Sequence, residues 1–294
     1  MHLCYLACQA TLPGSSTRRV DAYEHDQMVE NLSAAFEARG GRVTAVSWDD
    51  AAADWAQFDA VMIGTTWDYY DRLDEFLAVL LKIEAKTRLY NSRALVEWNC
   101  HKRYLKDLAK RGVPTIPTLW ADKATPEVIA SAFEQFGCDT LVAKRQVGAG
   151  GDGQHRIKRG EAVPDMPYPM KIQPFMSNIL KEGEISFIFI GGQYVFALLK
   201  TAVEGEYRIQ SCYGGKEQVV TPSSDDIAAA SAALSALDEV PLYARVDMLR
   251  GEDGGLMLME LELIEPFLYP VQGPELGAKV FEALQNLPYR SSRV

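Results

Sequence analysis

The chain has 294 residues, of which 48% are hydrophobic and 24% charged, the proportions of an ordinary globular protein with room for several compact lobes. A formal net charge of −10 argues against a nucleic-acid-binding protein, which would show a basic patch. The chain shows no signal peptide, no apolar run of membrane-spanning length and no Cys-x-x-Cys among its five cysteines. We therefore expect a cytoplasmic protein that binds neither membrane nor nucleic acid, and a homodimer stays an open alternative to a monomer.

Strands and helices alternate along the first third of the chain. Apolar runs predict strands at residues 3–10, 42–48, 60–64 and 87–90, and amphipathic patterns predict helices at 28–38 and 71–86. This alternation is typical of a parallel sheet covered by helices on both faces. We take residues 1–92 as a first α/β domain.

Two further regions follow the first domain. The second, residues 93–177, has predicted helices at 102–110 and 125–137 and predicted strands at 140–146 and 170–175. The third, residues 178–294, has a predicted hairpin at 185–200, a helix at 224–237, strands at 242–249 and 256–264, and a final helix after Pro274. The predicted fold class is therefore α/β, with α+β lobes after the first domain.

The last predicted strand carries the most informative residues of the chain. Successive side chains of a strand point to opposite faces, so Glu260 and Glu262 would share a face with Leu258 and Ile264. Burying adjacent carboxylates is costly unless a cation neutralises them, and Mg²⁺ prefers oxygen ligands. An edge strand with solvated glutamates is the alternative, but the run is too apolar to favour it. With Asp247, these acids predict a Mg²⁺ site, for which Mn²⁺ is an alternative metal.

A glycine-rich segment, residues 148–153, matches the dinucleotide-binding fingerprint G-x-G-x-x-G. That fingerprint needs a helix after the loop, and the residues that follow have no helical apolar face. We therefore expect a loop between two strands, where Gly148, Gly150 and Gly151 would let backbone N–H groups approach a phosphate. Lys144, at the end of an apolar strand, favours this interpretation. A hairpin tip without function and a nicotinamide-dependent oxidoreductase remain the alternatives.

In the order of these motifs the chain resembles the ATP-grasp superfamily, in particular its glutathione-synthetase-like and RimK-like carboxylate–amine ligases. The similarity extends from the first lobe through Lys102, Lys144, the hinge segment at residues 171–176 and Arg208 to the acidic strand. The ending Glu260-x-Glu262-x-x-Glu265-Pro266 is also similar to ring-closing ligases of the cycloserine type. The resemblance implies an ATP-grasp fold with a pre-grasp lobe, a central lid lobe and a C-terminal lobe, and with ATP between the last two.

The resemblance also implies roles for matching residues. Lys102 and Lys144 would bind the ATP phosphates, and Arg208 would neutralise the phosphoryl group during its transfer. The remaining expected contacts are Gln173, Pro174, Phe175 and Met176 with the adenine, Glu182 or Glu184 with the ribose, and Asp247, Glu260 and Glu262 with Mg²⁺. Two positions depart from the family. Glu262 stands where the family has Asn, and Ser186 stands where many relatives have an arginine that meets an acidic substrate.

These features predict an ADP-forming ligase that joins a carboxylate to an amine through an acyl phosphate, with small amino-acid-like molecules as substrates. Substrate contacts are expected where the first sheet ends, at Trp67 and Asp68. A helix start capped by Asp68, with Trp67 in the core, is the alternative. The pair Gly214 and Gly215 suits an oxyanion contact after Arg208, or a plain hairpin turn. A nucleotide-binding protein without turnover would have little need of three metal-binding acids.

Overall fold

The computed structural model describes residues 1–148, 153–203 and 214–288 of the chain. These residues form three sheets, of four, four and five strands. Within the same ranges, no helix combines the length and the apolar character needed to cross a membrane.

The first sheet is parallel and occupies the N-terminal third of the chain. Its strands are β1 (His2–Ala7), β2 (Arg42–Ser47), β3 (Ala60–Ile63) and β4 (Arg88–Tyr90), and its helices are α1 (Tyr23–Glu37) and α2 (Leu73–Glu84). The strand order is β2-β1-β3-β4, and all neighbouring strands run parallel. This confirms the parallel sheet predicted from the alternation of strands and helices. The four residues of β3 are fully buried, as expected of a strand covered on both faces.

Three helices belong to the second region. They are α3 (Arg93–Asn99), α4 (Tyr104–Lys110) and α5 (Pro126–Phe136). The Thr125 hydroxyl caps α5 by accepting the Val128 N–H at 3.4 Å, and Gly137 ends the helix in the left-handed conformation with φ 59°. Helix α3 was not predicted, although Ser92 caps it by accepting the Leu95 N–H at 3.1 Å.

The central sheet is antiparallel. Its strands are β5 (Leu119–Ala121), β6 (Thr140–Arg145), β7 (His155–Lys158) and β8 (Met170–Pro174), in the order β5-β8-β6-β7. Strands β6 and β7 pair with each other, so the glycine-rich segment joins two strands as predicted. Strand β7 thus stands where the dinucleotide fingerprint requires a helix.

The third sheet is also antiparallel and has the order β11-β10-β9-β12-β13. Its strands are β9 (Glu184–Ile190), β10 (Gln193–Thr201), β11 (Lys216–Val220), β12 (Tyr243–Arg250) and β13 (Leu256–Glu262). The helices of this region are α6 (Asn178–Lys181), α7 (Ser224–Ser235) and α8 (Leu276–Asn286).

The third sheet packs on both faces, whereas the central sheet has a core of its own. One face of the third sheet shares a core with the first domain, where Ile188 and Leu198 pack in one cluster with Leu32 of α1. The other face packs against α4 and α7. Helix α4, which we expected in the central region, thus belongs by packing to the third sheet. The limits 1–92, 93–177 and 178–294 stay a proposal for the domains.

Candidate active site

A cleft of about 420 Å³ lies where the three sheets converge. The first domain, the central sheet and the third sheet all contribute side chains to its walls. Its walls include Arg19, Glu24, Trp67, Lys102, Lys144, Gly148, Lys171, Glu184, Lys200, Arg245, Asp247, Glu260, Glu262 and Glu265. Twelve of the 26 residues that line the cleft are lysine, arginine, aspartate or glutamate from the second and third regions, so the cleft is strongly charged on that side.

A β-bulge in β13 turns the acidic residues toward the cleft. Asp247 pairs with Glu260, but the next residue of β12, Met248, pairs with Leu258, so Met259 is left as the extra residue. Leu258 then joins the buried core together with Leu261, while Glu260 faces the cleft. The prediction that Leu258 shares a face with Glu260 is therefore wrong, because the extra residue shifts the alternation of side chains.

Side chains from α3 and α4 hold the outer edge of β13. An edge strand leaves backbone groups without partners on one side. The Asn99 side chain donates to the Leu261 carbonyl at 2.9 Å and accepts the Leu263 N–H at 3.1 Å. The Tyr104 hydroxyl accepts the Leu261 N–H at 2.8 Å. These bonds fix the backbone on both sides of Glu262 and so orient its carboxylate.

One part of the cleft, which we call the lysine cluster, consists of Lys102, Lys144, Lys171 and Glu260. The Lys102 ammonium group forms an ion pair with the Glu260 carboxylate. Burial alone would raise the pKa of Glu260, but the charges of Lys102, Lys171 and Lys144 outweigh it and hold that pKa at about 2. Three ammonium groups around one carboxylate leave a surplus of positive charge, which suits an anionic ligand such as a phosphate chain.

A second part of the cleft, the arginine cluster, consists of Arg245, Asp247, Glu262, Lys200 and Glu184. Arg245 Nε lies 3.1 Å from both carboxylate oxygens of Asp247, and its Nη2 pairs with Glu262. Lys200 Nζ lies 3.5 Å from Glu184 Oε1 and 3.8 Å from Asp247 Oδ1. Two cations among three carboxylates leave acid in excess, the opposite balance to that of the lysine cluster.

The acids of the arginine cluster differ in their pKa values. Burial would raise the pKa of Asp247, but Arg245 and Lys200 overcome it and lower that pKa. Burial, aided by the charge of Asp247, raises the pKa of Glu184 to about 7. Ser186 adds a hydroxyl hydrogen bond to Asp247 Oδ1 at 2.5 Å, so this serine is part of the cluster. The cluster thus holds one firmly ionised carboxylate beside one that protonates near neutral pH.

The described residues contain no ready-made group of three acidic, histidine or cysteine side chains that could hold a metal ion. The three predicted Mg²⁺ ligands do line the cleft, but Glu260 is paired with Lys102, and Asp247 and Glu262 are paired with Arg245. Their carboxylate oxygens nevertheless form a donor set of the kind Mg²⁺ prefers. The residues therefore fit a divalent cation once one of these ion pairs opens, and the metal role stays a prediction.

Trp67 and Asp68 have different surroundings. Trp67 lines the cleft, and the guanidinium of Arg19 lies 5.3 Å from the centroid of its ring. Asp68 is not among the cleft-lining residues, and its carboxylate accepts the indole N–H of Trp48 at 2.7 Å. The cap predicted as the alternative does not form through the Asp68 side chain. This placement gives Asp68 a packing role and does not support the substrate contact predicted for it.

The residues predicted to contact the adenine, 173–176, lie outside the cleft-lining set, although Lys171 of the same hinge segment lies within it. The Phe175 N–H donates to the Thr140 carbonyl at 2.9 Å, and the Met176 carbonyl accepts the Ile179 N–H at 3.1 Å. The Gln173 side chain donates to the Thr118 hydroxyl at 2.9 Å. Two backbone groups of the hinge are thus already engaged, and the adenine contacts predicted for Gln173, Pro174, Phe175 and Met176 stay predictions.

Only one of the two ribose candidates faces the cleft. Glu182 forms an exposed ion pair with Arg250 at 3.1 Å, away from the cleft, whereas Glu184 lies in the arginine cluster. The position of Glu182 does not support a ribose contact. Glu184 is a neighbour of the predicted metal ligand Asp247, since Lys200 Nζ lies 3.5 Å from the first and 3.8 Å from the second. The ribose contact of Glu184 stays a prediction.

The glycines of the two predicted loops are only partly described. Gly148 lines the cleft and has φ 142°, a conformation that favours glycine. Gly150, Gly151 and Arg208 lie outside the described residues. Gly214 and Gly215 precede β11 and are not cleft-lining, and the φ of 83° at Gly214 agrees with the turn given as the alternative.

The cleft residues that the sequence analysis missed as site residues include Glu24, Lys171, Lys200, Arg245 and Glu265. Lys171 follows Met170 and precedes Ile172, so it carries the signal that singled out Lys144, a lysine inside an apolar strand. Arg245 and Asp247 stand two residues apart on β12, so strand geometry alone could have predicted that their side chains share a face. Lys200 follows the apolar residues Ala197, Leu198 and Leu199 and so carries the same signal as Lys144. Glu265 stood in the quoted motif Glu260-x-Glu262-x-x-Glu265-Pro266, but no role was predicted for it.

Comparison with known proteins identifies the family to which this chain belongs. A family model described as the N-terminal domain of D-cycloserine synthetase DcsG matches residues 3–91. The cycloserine biosynthesis protein DcsG of Streptomyces lavendulae is 32% identical over 244 residues, which cover 75% of this chain and 80% of that protein. The chain belongs to the DcsG family of ATP-grasp ligases.

Solved structures extend the similarity over the whole chain. The crystal structure of D-cycloserine synthetase DcsG superposes with a TM-score of 0.82 and 27% identity, covering 97% of this chain and 98% of that one. A D-alanine–D-alanine ligase from Bacillus anthracis shares the fold, with a TM-score of 0.67 at 14% identity over 98% of this chain and 97% of that one. The predicted ATP-grasp fold and ligase class are confirmed, and the oxidoreductase interpretation is wrong.

Proposed function

We propose that this enzyme uses ATP and Mg²⁺ to activate a small carboxylate as an acyl phosphate and then joins it to an amine, releasing ADP and phosphate. The observation that carries the proposal is the pairing of two charge clusters in one cleft. The lysine cluster has a surplus of positive charge, which suits the phosphates of ATP. The arginine cluster has a surplus of acid, which suits a divalent cation.

The chemistry needs both clusters. A carboxylate is a poor electrophile, because its charge repels nucleophiles, and phosphoryl transfer to it creates a good leaving group. Lys102 and Lys144 would bind the phosphates and orient them toward the substrate carboxylate. Asp247, Glu260 and Glu262 would hold Mg²⁺, which supplies charge neutralisation on the phosphate oxygens. The amine then attacks the acyl carbon, phosphate leaves, and the nitrogen loses a proton.

Two acids at the edge of the arginine cluster support an amino-acid-like substrate. Glu24 and Glu265 line the cleft, and neither has an ion-pair partner in the described part of the chain. Burial raises the pKa of Glu24 to about 7, and burial together with the charge of Glu262 raises the pKa of Glu265 to about 8. A carboxylate in such a place gains most from a ligand cation, such as the ammonium group of an amino acid.

Ring closure is the second candidate reaction. It is favoured by the similarity to a protein described as D-cycloserine synthetase, because forming a cyclic product requires the acid and the nucleophile to belong to one molecule. The two candidates use the same activation of a carboxylate. They differ only in whether a second organic substrate enters the cleft.

Release of ADP from Mg²⁺–ATP, measured with pooled amino acids and amino-acid derivatives, tests the proposal. Release that needs two organic substrates supports linear ligation. Release with a single derivative that carries both a carboxylate and an amine-type nitrogen, without a second substrate, supports ring closure. Binding of ATP without ADP release for any substrate would leave a nucleotide-binding protein, and failure to bind Mg²⁺–ATP at all would contradict the proposal.

A further inference from the structure

Lys171 is a buried lysine that has no role in the function proposed above. Its side chain is 1% exposed, and its ammonium group has no hydrogen-bond partner among the residues that the structure describes. It nevertheless lines the charged cleft. A buried ammonium group without a partner destabilises a fold, so its presence at this position needs a physical reason.

The register of the central sheet places this lysine beside a predicted phosphate ligand. Lys171 on β8 lies directly opposite Lys144 on β6, and directly opposite residues of an antiparallel pair point to the same face of the sheet. The third lysine joins them from the segment before α4, because the Lys102 N–H donates to the carbonyl of Gln146, just after β6, at 2.8 Å. Three ammonium groups therefore converge from three separate segments.

The single carboxylate of the lysine cluster cannot satisfy all three cations. Glu260 forms its ion pair with Lys102, and no such pair with Lys171 is formed within the described chain. Burial, reinforced by the charge of Lys144, lowers the pKa of Lys171 to about 7, as expected of a buried lysine that has no acidic partner of its own. What the cluster needs is a ligand with several negative oxygens that can contact more than one lysine.

We propose that Lys171 is a third phosphate-binding residue of the ATP site, which contacts the phosphate chain together with Lys144. The inference rests on the proposed function, since it takes the ATP phosphates as the occupant of the lysine cluster. A structural role alone does not explain the residue, because a methionine between Met170 and Ile172 would fill the strand without burying a charge.

Calorimetric titration of Mg²⁺–ATP and Mg²⁺–ADP into the Lys171→Met variant, without organic substrate, tests the inference. Loss of one charge-assisted contact should weaken ATP binding about tenfold or more. The matched control is Lys158→Met, which removes an exposed lysine from β7 of the same sheet and should leave ATP affinity unchanged. Lys171→Arg, which keeps the positive charge, should bind ATP more tightly than Lys171→Met.

Thermal unfolding separates binding from structure. Without ligand, Lys171→Met should melt at the same temperature as the wild type or higher, because it removes a buried unpaired charge. Added Mg²⁺–ATP should raise its melting temperature less than that of the wild type. ATP affinity within about twofold of the wild type would overturn the inference, as would a lower melting temperature with an unchanged ATP-induced rise. A wild type that does not bind ATP would instead contradict the proposed function.

Discussion

The two charge clusters of the cleft are built from the same residue types but differ in balance. In the lysine cluster one glutamate meets three lysines, and Lys171 remains without a hydrogen-bond partner within the described chain. In the arginine cluster Arg245 and Lys200 are shared among three acids, and Asp247 has both cations and a serine hydroxyl within reach. The first is organised to receive negative charge, and the second is organised to receive positive charge.

The difference shows how one cleft can suit both components of a magnesium–nucleotide complex, the anionic phosphates and the metal cation. Charges that are paired within the protein cost less to bury than charges waiting for a ligand. Side chains that are paired within the protein should therefore contribute mainly to stability, and side chains that await a ligand should contribute mainly to binding. Substitutions in the two clusters test this distinction.

The largest effect is expected for Glu260→Gln, which removes the only carboxylate of the lysine cluster and a predicted Mg²⁺ ligand. Mg²⁺-dependent ADP release should fall by roughly a hundredfold or more, while far-UV circular dichroism stays that of the wild type. Glu252→Gln, on the exposed turn between β12 and β13, is the matched control and should keep full activity. Undiminished ADP release in Glu260→Gln would refute the role of this carboxylate.

A large loss of stability is expected for Arg245→Met, because it leaves Asp247 and Glu262 without their shared partner. The Arg245 side chain is 12% exposed and that of Asp247 is 3% exposed, so the free energy of unfolding should fall by about 3 kcal/mol. Urea denaturation measures this change. Arg18→Met breaks an exposed pair with Asp26 and should cost less than about 1 kcal/mol. Equal losses in the two variants would contradict the assignment of a buried, structurally paired cluster.

A smaller effect is expected for Lys144→Met, which should act on binding rather than on stability. Removing this ammonium group takes away one predicted phosphate contact, so the dissociation constant of ATP should rise about tenfold in calorimetry. The urea midpoint should stay close to that of the wild type. An unchanged ATP affinity would remove Lys144 from the phosphate site.

The last prediction concerns how the stability of Glu265→Gln depends on pH. In the folded protein the pKa of Glu265 is about 8, against 4.5 for the ordinary side chain, so this residue favours folding fully below pH 4.5. Its contribution is lost as the pH rises toward 8, because the unfolded chain is already ionised while the folded protein must still release a proton. The wild type should therefore lose roughly 3 kcal/mol more stability than Glu265→Gln between about pH 5 and pH 8. Parallel stability curves would show that the Glu265 pKa is not raised.

Local patterns in the sequence predicted the elements better than the contacts between them. The alternation of strands and helices predicted the parallel first sheet, and the lack of a helical pattern after residues 148–153 predicted the strand–loop–strand arrangement. Both sheet features depend on neighbours in the chain, which hydrophobic periodicity and turn residues report. The shared site of Lys102 and Lys144 was implied by the family resemblance and not by local patterns, and both residues line the cleft.

What could not be predicted depends on residues far apart in the chain. The ion pair between Lys102 and Glu260 joins positions 158 residues apart, and the hydrogen bonds from Asn99 to β13 and its continuation span 162 and 164 residues. The bulge at Met259 was missed because it arises from the pairing with β12 and not from the strand alone. Asp68 was predicted to be free for a substrate contact, because its hydrogen-bond partner, Trp48, lies 20 residues earlier in the chain.

The extra residue at Met259 lets Leu258 and Glu260 face opposite sides although they stand two positions apart in the chain. Deleting Met259 would give a regular strand in which these two residues still face opposite sides, because neighbours on a strand alternate. Deleting Leu261 would instead make Glu260 and Glu262 neighbours, so one of the two carboxylates would turn into the apolar interior. The enzyme should therefore tolerate the loss of the bulge residue far better than the loss of the residue between its two glutamates.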